Sequence, residues 1–139
     1  MNLSIRNQIP GTVTAVTPGE VMAVVKVRLT GGQDVTAAVT VEAVDELNLA
    51  PGASVYALVK STEVALATAA VAGISIRNQL SGTVERLTTG EAMASVRVTV
   101  AGGALTAVIT RLAAEDLALA PGSPVVALIK STEVALATA

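Results

Sequence analysis

The chain has 139 residues, nine Lys and Arg against eleven Asp and Glu, 52% hydrophobic residues, a single aromatic in Tyr56, and neither Cys nor His. Without cysteine there are no disulfides and no thiolate chemistry, and without histidine the commonest metal ligand and general base is missing. A net charge of −2 leaves no electrostatic footprint for nucleic acid, and Thr, Glu, Arg or Lys interrupts every apolar run well before the roughly 18 residues of a membrane span. No charged-then-apolar leader opens the sequence, so a soluble, cytoplasmic chain is expected.

Clusters of β-branched residues between Gly or Pro punctuation predict short strands at 3–9, 12–16, 21–29, 35–39, 55–59 and 64–67. In the third, Lys26 and Arg28 fall on one face and Val25, Val27 and Leu29 on the other, and Gly31-Gly32 turns the chain back. The segment after Thr40 changes period. Val41, Val44 and Leu47 recur at three-residue steps with Glu42, Asp45 and Glu46 outside, so a short helix with Thr40 as its N-cap is expected, stopped by Pro51-Gly52.

The second half repeats the first. Ser4-Ile5-Arg6-Asn7-Gln8 returns letter for letter at 75–79, and the ten residues from Lys60 return from Lys130. Gly11-Thr12-Val13 matches Gly82-Thr83-Val84, and Ala50-Pro51-Gly52 matches Ala120-Pro121-Gly122. The offset is 71 up to Gly102-Gly103 and 70 beyond, which places a one-residue deletion in the loop after Gly103. Five or six strands and one short helix per copy is the inventory of a small OB-like barrel, giving an all-β chain of two tandem barrels, 1–69 and 72–139. Units of this size bury little surface, and with almost no aromatics the Val, Ala, Leu and Ile cannot all be hidden within them. Burial between copies or subunits, and hence an oligomer, is expected.

The cations common to both copies are Arg6 with Arg77, Lys60 with Lys130 and, with a change of type, Lys26 with Arg97. The last pair suits an exposed strand face. Arg6 and Lys60 instead sit in identical polar blocks that combine a guanidinium, an ammonium, hydroxyls and backbone N–H groups, a donor-rich setting suited to an oxyanion. The alternative is that these cations pair with Glu63 and Glu133 or cover a subunit seam. Asn7 and Gln8 read more readily as amides that satisfy backbone than as ligands.

Ser-Ile-Arg-Asn-Gln near the start, Gly-Thr-Val shortly after, the central Gly-Gly and the closing Lys-Ser-Thr-Glu-Val resemble the molbindin or Mop domain, a molybdate-binding module, and two copies span nearly the whole chain. The resemblance implies six domains assembled from three chains, a homotrimer. It places the oxyanion between domains, held by the first polar block and the Lys-Ser block of one and by the Thr-bearing segment of a neighbour. Carried over, the site residues are Ser4, Ile5 (through its N–H), Arg6, Lys60 and Ser61 with Thr40, and Ser75, Ile76, Arg77, Lys130 and Ser131 with Thr110. Some relatives have a hydroxyl three residues beyond that Thr, where this chain has Ala43 and Ala113. The family also carries oxyanion sites on the three-fold axis, for which no residues are assigned.

The function implied is storage of molybdate, and of tungstate, without chemistry and with no metal or catalytic cofactor beyond the bound oxyanion. An enzyme lacks support in the residues, because neither copy carries a close carboxylate pair at a recognisable site. A nucleic-acid OB module would stack bases on aromatics that are absent here, and a molybdate-responsive regulator would need a DNA-binding domain for which the 139 residues leave no room. A structural oligomerisation module without ligand needs only the apolar surfaces and stands as the alternative.

Overall fold

The computed structural model describes residues 1–138, leaving the last residue of the second repeat outside. Each repeat supplies five strands and one helix. In the first these are β1 (Asn7–Pro18), β2 (Met22–Leu29), β3 (Asp34–Thr40), α1 (Val41–Glu46), β4 (Ser54–Val59) and β5 (Ala65–Ala67), with a 3-10 turn at Ser61–Glu63. In the second they are β6 (Asn78–Thr89), β7 (Met93–Val100), β8 (Gly103–Thr110), α2 (Arg111–Asp116), β9 (Pro124–Ile129) and β10 (Ala135–Ala137), with a 3-10 turn at Ser131–Glu133. The chain is therefore all-β, two curled five-stranded OB-like sheets with one short helix apiece.

Strict alternation along β2 buries Ala23, Val25, Val27 and Leu29 and exposes Met22, Val24, Lys26 and Arg28, as period-two patterning requires. The first two expected strands merge into the single twelve-residue β1, which runs through Pro10-Gly11. Pro10 is tolerated there because pairing with β2 begins only at Gly11, opposite Leu29, while the Pro10 carbonyl accepts from the Thr30 N–H at 3.1 Å. At Gly11 a Cβ would lie 2.7 Å from the Arg28 carbonyl oxygen, and at Gly82 a Cβ would lie 2.5 Å from that of Thr99, so close backbone approach explains why both copies keep this glycine. The deletion in the second copy falls in the β7–β8 hairpin, where Val100 pairs with Gly103 across a tighter turn than the one joining β2 to β3.

The topology departs from two self-contained barrels. The sheet orders are β10-β4-β1-β2-β3 and β5-β9-β6-β7-β8, so each repeat's last strand completes the other repeat's sheet. Ala135, Leu136 and Ala137 face Leu58, Ala57 and Tyr56, while Ala65, Leu66 and Ala67 face Leu128, Ala127 and Val126, the same register twice. Val64 and Val134, each 2% exposed, anchor these short strands in the core, a burial worth about 1.5–3 kcal/mol apiece.

The opposite edges are closed by side chains. The Asn7 amide donates to the Thr106 carbonyl at 2.9 Å and accepts from the Thr106 N–H at 2.8 Å, and Asn78 does the same with Thr36, both bonds at 2.8 Å. β8 and β3 are edge strands, and a carboxamide carries the same donor and acceptor as a peptide, so each Asn stands in for one residue of a missing neighbour strand. These two are the buried polar residues among those described; the expectation that Asn7 and Gln8 satisfy backbone is met, since the Gln8 amide donates to the Ile5 carbonyl at 2.9 Å. A single hydrophobic cluster runs through both repeats, which accounts for part of the apolar excess.

Candidate functional site

β1 and β4 are paired as far as Asn7 opposite Val59, and β6 and β9 as far as Asn78 opposite Ile129. The next residues outward are Arg6 with Lys60 and Arg77 with Lys130. Two blocks more than fifty residues apart in sequence are thus brought to the same end of one strand pair, once in each repeat.

Within each block the donors are held differently. The Arg6 guanidinium folds back to donate to the Leu3 carbonyl, and Arg77 donates to Ile74 at 2.8 Å, which fixes each side chain through one N–H and leaves other donors of the fork available. Lys60 and Lys130 are exposed and precede the 3-10 turns, with no side-chain cap bond. The hydroxyl oxygens of Ser61 and Ser131 are buried and have no hydrogen-bond partner. The ion pairs among the described residues are Arg28–Asp34 at 2.9 Å, Arg97–Glu85 at 2.8 Å and Arg111–Glu115 at 3.2 Å. None involves the polar blocks, so the pairing of Arg6, Lys60 and their counterparts with Glu63 or Glu133 does not occur among these residues.

The exchanged strands make the surroundings of each Lys composite. A depression of about 130 Å³ is lined by Ile5, Leu58 and Lys60 of the first repeat and by Thr132, Glu133, Val134 and Ala135 of the second, with Glu63. Its counterpart, about 280 Å³, is lined by Ile76, Leu128 and Lys130 and by Thr62, Glu63, Val64 and Ala65, with Glu133 and the β8 residues Val108 and Ile109. Both glutamates line both depressions. A carboxylate repels an anion, so within these linings Lys60 and Lys130, rather than the glutamates, suit an oxyanion, and Arg6 and Arg77 follow directly on the lining residues Ile5 and Ile76.

Ser4, Ile5, Arg6, Lys60 and Ser61 therefore gather at one end of the first repeat, and Ser75, Ile76, Arg77, Lys130 and Ser131 at the matching end of the second. Neither threonine lines either cationic depression. Thr40 caps α1, its hydroxyl accepting from the Ala43 N–H at 3.1 Å, and Thr110 caps α2 through Ala113 in the same way, confirming the N-caps read from sequence. Thr40 borders a different, acidic depression with Glu20, Glu42, Asp45 and Glu46. Within one chain the strands that lead to these threonines pack against the opposite repeat's Ser-bearing turns, β3 against Ser131–Glu133 and β8 against Ser61–Glu63, while the Thr hydroxyls themselves serve as helix caps.

Sequence reasoning missed the contribution of Thr62 through Ala65 and Thr132 through Ala135 to the opposite repeat's depression, and only the letter identity of the closing blocks hinted at it. A larger depression, about 490 Å³, includes Thr12, Arg28, Thr30, Ser54 and Tyr56 and shares no residue with either cationic site. There Arg28 is committed to Asp34, whose carboxyl that hydrogen bond holds below its ordinary range.

The duplicated barrels and the cationic end of each strand pair define a tandem β module built from one repeated domain. The chain belongs to the TOBE-domain family, whose model matches residues 3–66 and 74–136. It is 42% identical over 139 residues to the molybdenum-pterin-binding protein MopA of Rhodobacter capsulatus, covering 99% of this chain and 52% of that protein. It is 38% identical to the molybdenum transport protein ModE of Herbaspirillum seropedicae, again covering 99% and 52%. The chain thus spans about half the length of these curated relatives. Over 100% of both chains it superimposes on the crystal structure of the cytoplasmic molybdate-binding protein ModG with molybdate bound, at a TM-score of 0.97 and 39% identity. The resemblance to a tandem Mop-type protein holds over the whole length.

Proposed function

We propose that this chain binds molybdate, and tungstate as the same tetrahedral dianion, in the cytoplasm, for storage and buffering and without catalysing a reaction. The observation that carries the reading is the placement, in each repeat, of an Arg and a Lys that form no ion pair among the described residues beside a buried Ser hydroxyl with no hydrogen-bond partner there. That donor set fits an oxyanion. One Arg and one Lys offset the double charge of the ligand, and charge-assisted hydrogen bonds from both supply the affinity. Selection against the smaller sulfate follows from the spacing of these donors.

The units are taken as 1–69 and 72–139, and the assembly as a homotrimer of six domains, in which Thr40 and Thr110 of neighbouring subunits complete the sites. The exposed apolar residues support a subunit seam: Val21, Met22, Val24, Met93 and Leu112 are each 43–72% exposed, and Val21 borders the same depression as Thr40. Calorimetric titration with molybdate, tungstate, sulfate and phosphate tests the reading. Saturable heat is expected from the first two and little from the others, and equal affinity for sulfate would contradict the molybdate assignment.

A further inference from the structure

The polar blocks are letter-identical in the two repeats, so Arg6, Lys60 and Ser61 form the same chemical set as Arg77, Lys130 and Ser131. Any inequality between the two classes of site must therefore come from their surroundings. The first repeat carries four cations and six carboxylates, the second five of each, and that whole difference of two charges falls on one dipeptide. Thr40 is followed by Val41-Glu42, whereas Thr110 is followed by Arg111-Leu112. The remaining changes cancel. Arg28 and Asp34, bonded to each other, have Thr99 and Ala104 as counterparts, and Glu85 and Arg86 have Thr14 and Ala15.

These residues lie on the segments that approach the cations. Thr40 borders a depression walled by Glu20, Glu42, Asp45 and Glu46, with no cation in its lining. At the Thr110 end Leu112 stands in place of Glu42, and the Arg111 Nε lies 3.2 Å from Glu115, which offsets the counterpart of Asp45. Both partners of that pair are exposed, so it holds the guanidinium only weakly and through one edge of its fork. The strand running into Thr110 reaches a cationic depression within the chain: Val108 and Ile109 line the one that holds Lys130.

We propose, on the oxyanion reading above, that Arg111 is a further cation of the binding machinery, and that sites bounded by the Thr110 segment hold the dianion more tightly than sites bounded by the Thr40 segment. Two unequal classes spread uptake over a wider range of concentration than two equal ones. The gap is electrostatic, so it should be about three- to tenfold at an ionic strength of about 20 mM and fall below about twofold above roughly 0.3 M. A gap of that size broadens the isotherm without dividing it into separate phases.

Calorimetric titration of the intact protein with sodium molybdate at both ionic strengths tests this, on the unaltered chain and on Arg111→Val, Val41→Arg and Glu115→Gln. All three positions are exposed or half-exposed, and circular dichroism and light scattering check that fold and particle size match the unaltered chain. At low ionic strength Arg111→Val should weaken the tighter class by about three- to tenfold and leave the other unchanged, while Val41→Arg should strengthen the weaker class and sharpen the isotherm. Glu115→Gln breaks the ion pair but keeps the guanidinium, so it should tighten binding, which a purely structural role for the pair would not produce. High ionic strength should shrink all three effects together.

Unchanged isotherms for Arg111→Val and Val41→Arg at low ionic strength would overturn the proposal and leave the oxyanion reading standing. Weakening by Glu115→Gln to the same extent as by Arg111→Val would also overturn it, since the ion pair rather than the cation would then matter. No saturable molybdate binding by the unaltered chain would overturn the oxyanion reading itself, and this proposal with it.

Discussion

Asn7→Ala removes the one side chain that closes the β8 edge from the other repeat. Two hydrogen bonds vanish, at 2.9 and 2.8 Å, and the Thr106 N–H and carbonyl lose their partners in a seam where Asn7 is 2% exposed. Each buried backbone group left unsatisfied costs about 1–3 kcal/mol, so the substitution should destabilise the chain by roughly 2–6 kcal/mol, toward the lower end if water enters the space left by the amide. Urea unfolding followed by far-ultraviolet circular dichroism measures this as a lowered midpoint with an unchanged slope. Asn78→Ala should cost the same through Thr36. A loss below about 0.5 kcal/mol in both variants would show that these amides do not close the sheet edges.

Arg6→Ala and Lys60→Ala should each weaken molybdate binding by about 10- to 150-fold at the first-repeat sites, the range expected when a charged hydrogen bond is removed, while sites built on Arg77 and Lys130 persist and the titration becomes biphasic. Lys26→Ala, an exposed cation on the outer face of β2, should change affinity by well under about tenfold; an equal loss would mean that overall potential rather than a defined pocket holds the anion. Glu63→Gln should tighten binding by about two- to tenfold, because it removes a negative charge from the lining of both depressions, and a weakened complex would show that the carboxylate supports the site. Gly31→Ala should destabilise by about 1–3 kcal/mol in the same urea assay, since a Cβ there overlaps the Ala101 carbonyl where the two hairpin turns meet; a neutral result would place that contact in error.

Strands, turns and helix caps were legible because they depend on local chemistry. Alternation along β2 and the Thr40 cap act over a few residues, and the structure repeats them in the second copy. The strand exchange was not legible for a physical reason. Ala65–Ala67 presents the same side chains and peptide groups whichever sheet it joins, and two identical copies erase the difference between the possible partners. The break expected at Pro10-Gly11 failed because close backbone packing at Gly11 favours continuity over the turn that the dipeptide suggests in isolation. The cationic blocks converge because the β1–β4 register carries Arg6 toward Lys60, whereas the composite lining by Glu63 and Glu133 depends on the exchange and had no local signal.

The central claim is that the oxyanion binds where Arg6, Lys60 and Ser61 meet, and again at Arg77, Lys130 and Ser131. Crystals soaked in tungstate, with anomalous data collected at a tungsten absorption edge, locate the ligand directly. The account predicts tungsten peaks whose oxygens lie within hydrogen-bond distance of the Lys60 and Lys130 ammonium groups and the Ser61 and Ser131 hydroxyls. Well-ordered tungstate found only elsewhere, with these side chains free of it, would contradict it.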